Sequence, residues 1–432
     1  MKKLYLALVV EMMAGVASAV DLGEYFFKPE NWREQSEFFA VAHAKEGFKF
    51  ASDARDIVNC LDHDSCTWFG LKVWETKVYF DKSAEEEKIA RVELSLYNRG
   101  DAQNDESIDA KELKTMLAKI ESQLGGGRKL PEPKRTALKN GAVRYSREFS
   151  KDGLVAEVVW GLSAAGERKV RGVEYLRLTL SEASAKKSMK TAGKVTKRDK
   201  SITKSPNGDV YIDNVPMVDQ GQKGYCAAAV AERVLRYYGR QIDEHEIAQY
   251  AGTSAETGTS IDKLKETIIA IGNRNRLGFQ SIVSMSAGLS DLEDEVERYN
   301  KAAKTLKAKP IAIADFTRGN VVYTGELREA MEAKVLYAMR KKDPRLKKFL
   351  KGIRDQVNLG VPVFWGVTLG IFPERGVNPQ STGGHMRLII GYNDKKREIL
   401  YSDSWGEGHE LKRMPEDWAF TITHDAFFLK PL

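Results

Sequence analysis

Gln220, Cys226, His385 and Asp403 have the types and the order for nucleophilic acyl transfer through a thiol. A thiol at its ordinary pKa is mostly protonated at neutral pH, and the thiolate is the nucleophile. A helix N-terminus and a neighbouring imidazolium both favour that thiolate. His385 would take the thiol proton and later deliver it to a leaving amine. Asp403 would hold the imidazole in the useful tautomer and orientation. A tetrahedral oxyanion needs donors fixed in advance, and the Gln220 side-chain amide and the Cys226 backbone N–H would supply them. Taken singly, each residue has a plainer reading. A Cys at a helix start is commonly a small buried hydrophobe, and a lone His or Asp at a strand end is commonly structural. The four together, with Gln six residues ahead of Cys, favour the chemical reading.

The elements that must position them are visible in the local sequence. Cys226 is followed by Ala227, Ala228, Ala229, Val230 and Ala231, then by Val234, Leu235, Tyr237, Tyr238 and Gly239. Small apolar residues on nearly every side predict a helix buried in a core, with Gly239 as its stop. Gly221 and Gly224 allow the tight turn that would point a thiol at a cleft. The run from His385 to Tyr392 predicts a buried strand, and Ile399 to Ser402 predicts a second one ending at Asp403. Asn393-Asp394-Lys395-Lys396-Arg397 lies between them and predicts a hairpin turn. That hairpin would bring His385 and Asp403 to the same end of one sheet.

Residues 209–432 resemble papain-like cysteine peptidases. Gln220-Gly221-Gln222-Lys223-Gly224-Tyr225-Cys226-Ala227 and Asp403-Ser404-Trp405-Gly406 match patterns of that superfamily. Gly239, the stretch from Ile242 to Ala248, and Gly258-Thr259-Ser260 resemble its bacterial branch, which includes the double-glycine leader peptidases and free-standing relatives. The resemblance implies an α+β fold, with a helical half carrying the thiol against an antiparallel sheet half carrying His385 and Asp403. Substrate would lie in the cleft between the halves. It also implies catalytic roles for Cys226, His385, Asp403 and Gln220, a peptide or protein substrate, and no cofactor or metal. There are two departures. Asp403 stands where plant and lysosomal enzymes have Asn, and Tyr225 and Ala227 replace the residues that flank their Cys. The implied activity is cleavage of amide bonds through a thiolate and a thioester. The alternatives are other thiol acyl transfer (transglutaminase-like, or an amidase of cell-wall peptides) and an inactive, peptidase-like binding module. No G-x-x-x-x-G-K-[ST] segment of a fused transport ATPase occurs.

The rest of the 432-residue chain has room for further domains. Met1-Lys2-Lys3, an apolar stretch from Leu4 to Val10, and Ala17-Ser18-Ala19 predict a secretory signal peptide over residues 1–19. A secreted or periplasmic location follows. That apolar stretch is too short to span a membrane, and no later segment qualifies. Residues 185–208 hold eight Lys or Arg against Asp199, so this segment accounts for the whole formal excess of +7. It is rich in Ser, Thr and Lys and has no aromatics for stacking, which disfavours nucleic acid. It reads as a solvated linker, with contact to an acidic cell surface as the alternative. Cutting there would release two folded pieces.

Residues 20–184 predict a separate N-terminal α+β domain with a mainly antiparallel sheet. Glu30 to Ala44 and Ile108 to Leu124 have helical spacing, while Thr67–Trp74, Lys77–Phe80, Arg91–Tyr97, Leu154–Trp160 and Val173–Leu180 are strand-like. Asp101 to Glu112 loosely echoes a calcium loop, but Glu106 occupies the place of the turn Gly, and an acidic helix start is the better account. Cys60 and Cys66 would pair as a small-loop disulfide in an oxidising compartment. A metal site with His63 lacks the second ligand pair that zinc usually needs. Two free thiols are the third alternative.

Overall fold

The computed structural model describes residues 19–432 apart from 63, 83, 85, 101–106, 126–130, 139–140, 152, 165–170, 184–200, 222–224, 241–243, 252–260, 286–287, 320 and 375–382. The signal expected over residues 1–19 lies outside the described residues except for its last position. The chain is α+β, with antiparallel sheets throughout except for one short parallel pair.

Near the start, β1 (Val20–Asp21) leads into α1 (Leu22–Phe26), and α2 (Ser36–Ala42) follows a 3-10 turn over Pro29–Arg33. The single helix expected from Glu30 to Ala44 is therefore divided. Gln35 is extended between the pieces, and Trp32 Nε1 pins the turn by donating to the Phe26 carbonyl at 2.7 Å. An eight-stranded sheet comes next, built from β2 (Lys49–Phe50), β3 (Ile57–Cys60), β6 (Glu75–Asp81), β7 (Lys88–Asn98), β8 (Lys134–Ala137), β9 (Val143–Lys151), β10 (Leu154–Leu162) and β11 (Val173–Glu182). Its order is β2-β3-β6-β7-β11-β10-β9-β8. The strand expected over Thr67–Trp74 is instead split into β4 (Cys66–Trp68) and β5 (Leu71–Val73), which form a small sheet with β1. Phe69 and Gly70 both take positive φ, 46° and 71°, and turn the chain between them.

A long helix, α3 (Ala110–Gly125), packs on this sheet. Asp109 Oδ1 accepts from the N–H groups of Lys111 and Glu112, while Glu112 accepts from the Asp109 N–H. That reciprocal cap is what an acidic helix start provides; positions 101–106 of the calcium-like stretch lie outside the described residues. Cys60 and Cys66 are buried free thiols, and Cys60 Sγ donates to the Glu46 carbonyl at 3.1 Å.

Of the expected linker, residues 185–200 lie outside the described residues. Its last stretch is not solvated chain: β12 (Ile202–Lys204) pairs with β13 (Asp209–Ile212) and joins the second large sheet. The buried helix predicted from the Cys226 sequence is α4 (Cys226–Tyr237). It stops as the Gly239 reading requires: Gly239 has φ 71°, and the Arg240 N–H reaches back to the Leu235 carbonyl at 2.8 Å. Next come α5 (Glu244–Ala251), α6 (Ile261–Arg274), α7 (Leu289–Leu306), α8 (Thr324–Glu329), α9 (Ala333–Arg340) and α10 (Arg345–Val357). The last of these begins directly after Pro344, its N-cap.

The second sheet runs β12-β13-β18-β17-β21-β14, with β19 and β20 added beside β18. Its members are β14 (Leu277–Ser284), β17 (Val363–Leu369), β18 (Gly383–Asn393), β19 (Glu398–Ser402), β20 (Lys412–Pro415) and β21 (Thr423–Pro431). β14 pairs with the C-terminal strand β21, a partner far away in the chain. Just before β21, α11 (Glu416–Ile422) covers one end. The core beneath joins Ala228, Val230 and Val234 of α4 to Trp365, Leu388, Ile389 and Phe427 of the sheet.

The first sheet and the helical half touch beside Cys226. Tyr225, the residue before Cys226, donates through its hydroxyl to Asn98 Oδ1 at 3.0 Å, and the pair is buried. Buried His245 of α5 faces buried Glu75 of β6 at 3.7 Å, and Gln249 donates to the Leu162 carbonyl at 3.1 Å. A released pair of independent pieces is therefore not what this interface favours.

Candidate active site

The predicted hairpin forms. Asn393 Oδ1 accepts from the Lys396 N–H at 2.9 Å inside the turn, and β18 and β19 pair with Leu388 opposite Ser402. Continued by one residue, that register sets Asp403 beside Arg387, within reach of His385. His385 Nε2 lies 3.2 Å from Asp403 Oδ1. Its ring stacks on Trp405, with centroids 4.5 Å apart and 16° between planes. Trp405 thus lies beside the candidate triad, as its place in the Asp403-Ser404-Trp405-Gly406 motif implies.

The glycine of Asp403-Ser404-Trp405-Gly406 has a geometric cause. Gly406 has φ 83°, and a Cβ there would meet Asp219 Oδ2 at 2.7 Å. This close approach presses the loop carrying Gln220 onto the Asp403 turn. The Gln220 N–H donates to the Ser404 carbonyl at 2.9 Å, and the Gly221 N–H donates to Asp219 Oδ1 at 3.0 Å. Residues 222–224 lie outside the described residues.

Cys226 opens α4 and is half-buried. Burial works against its ionisation, but hydrogen bonds from His385 and from the backbone of Met386 and Ala227, with the imidazolium charge, hold the thiol below its ordinary value. For His385, burial disfavours the charged form, and its bonds to Asp403 and Cys226 more than offset this and raise its pKa. Burial likewise opposes the Asp403 carboxylate, yet Arg387, His385 and Lys412 hold it well below the usual carboxylate range. Both shifts run in the direction that favours a thiolate beside an imidazolium, with a buried carboxylate behind them.

Sequence reasoning missed the cations that surround this carboxylate. Arg233 of α4 is fully buried and binds the Pro216 carbonyl at 2.8 Å, the Asp403 carbonyl at 2.8 Å and Ser402 Oγ at 2.5 Å. It ties the thiol's helix to the Asp403 strand end. Arg387 lies 2.7 Å from Asp403 Oδ1, and Lys412 lies 3.5 Å from Oδ2. The available signal was a charged residue inside an otherwise apolar run, since such residues are rarely buried unless paired. His409 packs edge-on against Trp405 at 5.5 Å, and its carbonyl accepts from the Asp403 N–H.

Substitution tests the oxyanion role expected of Gln220. Gln220→Ala is expected to lower turnover by roughly 10²–10³, the scale for one oxyanion donor, with little change in substrate binding. Steady-state kinetics would detect a KM effect instead, which would remove Gln220 from that role.

A thiol on a helix facing an imidazole and a carboxylate on a sheet is the arrangement of papain-like cysteine peptidases. A model of the Peptidase_C39 like family matches residues 300–423, the segment that carries His385 and Asp403, while Gln220 and Cys226 precede it. This match supports the papain-like peptidase resemblance. Among solved structures, xylellain, a cysteine protease from Xylella fastidiosa, is similar at 12% identity and a TM-score of 0.27, over 54% of this chain and 88% of that one. No curated protein matches the chain.

Proposed function

We propose that the chain is an exported cysteine peptidase that cleaves peptide or protein amide bonds. The observation that carries this reading is the line from Cys226 through His385 to Asp403, with the Gln220 loop bonded to Ser404 beside it. The Cys226 thiolate attacks the carbonyl carbon, and the oxyanion is held by the Gln220 amide and the Cys226 N–H. His385 gives its proton to the departing amine as the C–N bond breaks, leaving a thioester. Water, deprotonated by His385, then attacks the thioester; the acid leaves and the thiolate returns. The proposed order of parts is a signal over 1–19, an N-terminal domain over 20–184, a basic linker beginning at 185, and the peptidase domain from 209. Export is supported by the charged, apolar and small-residue order of positions 1–19. Among the described residues no helix is long and apolar enough to cross a membrane.

An electrophilic thiol probe tests the reading on the full chain. It is expected to label Cys226 at pH 6, where Cys60 and Cys66, both buried, stay unlabelled, and prior labelling is expected to stop hydrolysis of a diverse peptide library. Full labelling without any hydrolysis by the unlabelled protein would favour a binding module.

A further inference from the structure

We propose that Arg387 is a positioning residue that clamps the Asp403 carboxylate against His385, with Glu374 as its counter-anchor; the proposal rests on the peptidase reading above. Arg387 stands two residues after His385, so both side chains leave the same face of β18. Its side chain is fully buried, with Nε 2.7 Å from Asp403 Oδ1 and Nη2 2.8 Å from Glu374 Oε2. Nη1 donates to Glu374 Oε1 at 3.1 Å, and the Tyr401 hydroxyl donates to Glu374 Oε2 at 2.6 Å. The guanidinium also lies over the Tyr401 ring, 4.7 Å from its centroid.

Asp403 Oδ1 is the oxygen that faces His385 Nε2, so the atom that orients the imidazole is itself fixed by Arg387. Oδ2 is turned toward Lys412. Each carboxylate oxygen therefore faces a cation, which opposes its swinging away from the ring. Stability alone is a poor reason for this cluster, because well-packed apolar residues commonly replace a buried ion pair at no loss. The planar fork of Arg can hold two carboxylates in one geometry, where Lys offers only a point charge.

The groups facing Asp403 define the expected pH behaviour. They are His385 and Arg387 from β18, Lys412 from β20, Arg233 from α4 through the Asp403 carbonyl, and His409 from the following turn. Without Arg387 the carboxylate takes up a proton at higher pH. The imidazolium then loses its support, and the thiolate is lost with it, so the acid limb of activity moves to higher pH.

The test compares Arg387→Lys and the double variant Arg387→Met/Glu374→Gln with the parent chain. The double variant removes both charges and so leaves no buried Glu374 unpaired if Arg387→Met alone fails to fold. Two readouts are taken across pH: hydrolysis of fluorescein-labelled casein, and iodoacetamide alkylation of Cys226 followed by mass spectrometry, which needs no substrate. The double variant is expected to lose about 10²-fold in kcat with KM little changed, and both acid limbs are expected to move up. Arg387→Lys is expected to keep the acid limb near its original place while kcat stays reduced. A folded double variant with unchanged kcat and unchanged limbs would make Arg387 merely structural and overturn the proposal. Casein hydrolysis surviving in Cys226→Ala would instead overturn the peptidase reading, so the two failures are distinguishable.

Discussion

Cys226→Ala is expected to remove amide hydrolysis, on the order of 10⁶-fold, from a chain that remains folded. Both covalent steps of the proposed route pass through the Cys226 sulfur, and no other Cys lies in the site. The lost sulfur sits at a half-buried position at the start of α4, so the cavity term should be about 1 kcal/mol. Activity and thermal unfolding measured on the same sample separate the two effects. Combining this change with His385→Ala should make matters no worse, because a nucleophile and its base act as a unit. Losses that multiply in the double variant, or hydrolysis that survives Cys226→Ala, would dismiss the thiol mechanism.

Asp403→Asn is expected to cost both rate and stability, and the two have different origins. The rate should fall by at most about 10⁴-fold, the loss when the amide presents its N–H to the imidazole and fixes the wrong tautomer; an amide that turns its oxygen to the ring, as the Asn of plant and lysosomal enzymes would, costs less. Stability should fall by about 3–5 kcal/mol, because Arg387 and Lys412 lose the anion they share in a buried place. The sign of the pH dependence follows from the direction of the shift. Asp403 is held well below the usual carboxylate range in the folded chain, with Arg387, His385 and Lys412 working against the burial penalty. Its stabilisation is therefore fully present above the ordinary carboxylate pKa and is lost as pH falls toward the folded value. Urea unfolding followed from pH 7 downward should show a gap between parent and variant that is full at pH 7 and begins to shrink only as pH falls below the ordinary carboxylate pKa. A gap that does not change with pH would mean the carboxylate's charge is not what stabilises this region.

The elements around the candidate site that were legible in the sequence were those with a local cause. Gly239 stops α4 because a positive φ is cheap only for glycine. The Asn393–Arg397 turn fixes β18 against β19, and that register carries His385 and Asp403 to one end. Small residues from Ala227 to Ala231 left little choice but a buried helix. What stayed hidden depends on contacts between positions far apart. Strand β14 exists because β21, more than a hundred residues later, supplies its hydrogen bonds. Arg233 and Arg387 looked like interruptions in apolar runs, and only the meeting of α4, β18 and the Asp403 turn gives them partners. The break between the 3-10 turn at Pro29–Arg33 and α2 is likewise decided by where Trp32 docks, which helical spacing does not encode.

The bond between Asn98 and Tyr225 carries a lesson about heredity. Inhibitory pro-segments can be shed because they cover a finished catalyst. Here a strand end of the first sheet reaches the residue next to the nucleophile, and a side chain added at Gly100 would collide with the Tyr225 ring. A substitution at position 98, 100, 225 or 245 is therefore felt on both sides of the seam. The two halves are then transmitted as one trait rather than as a tool with a detachable handle.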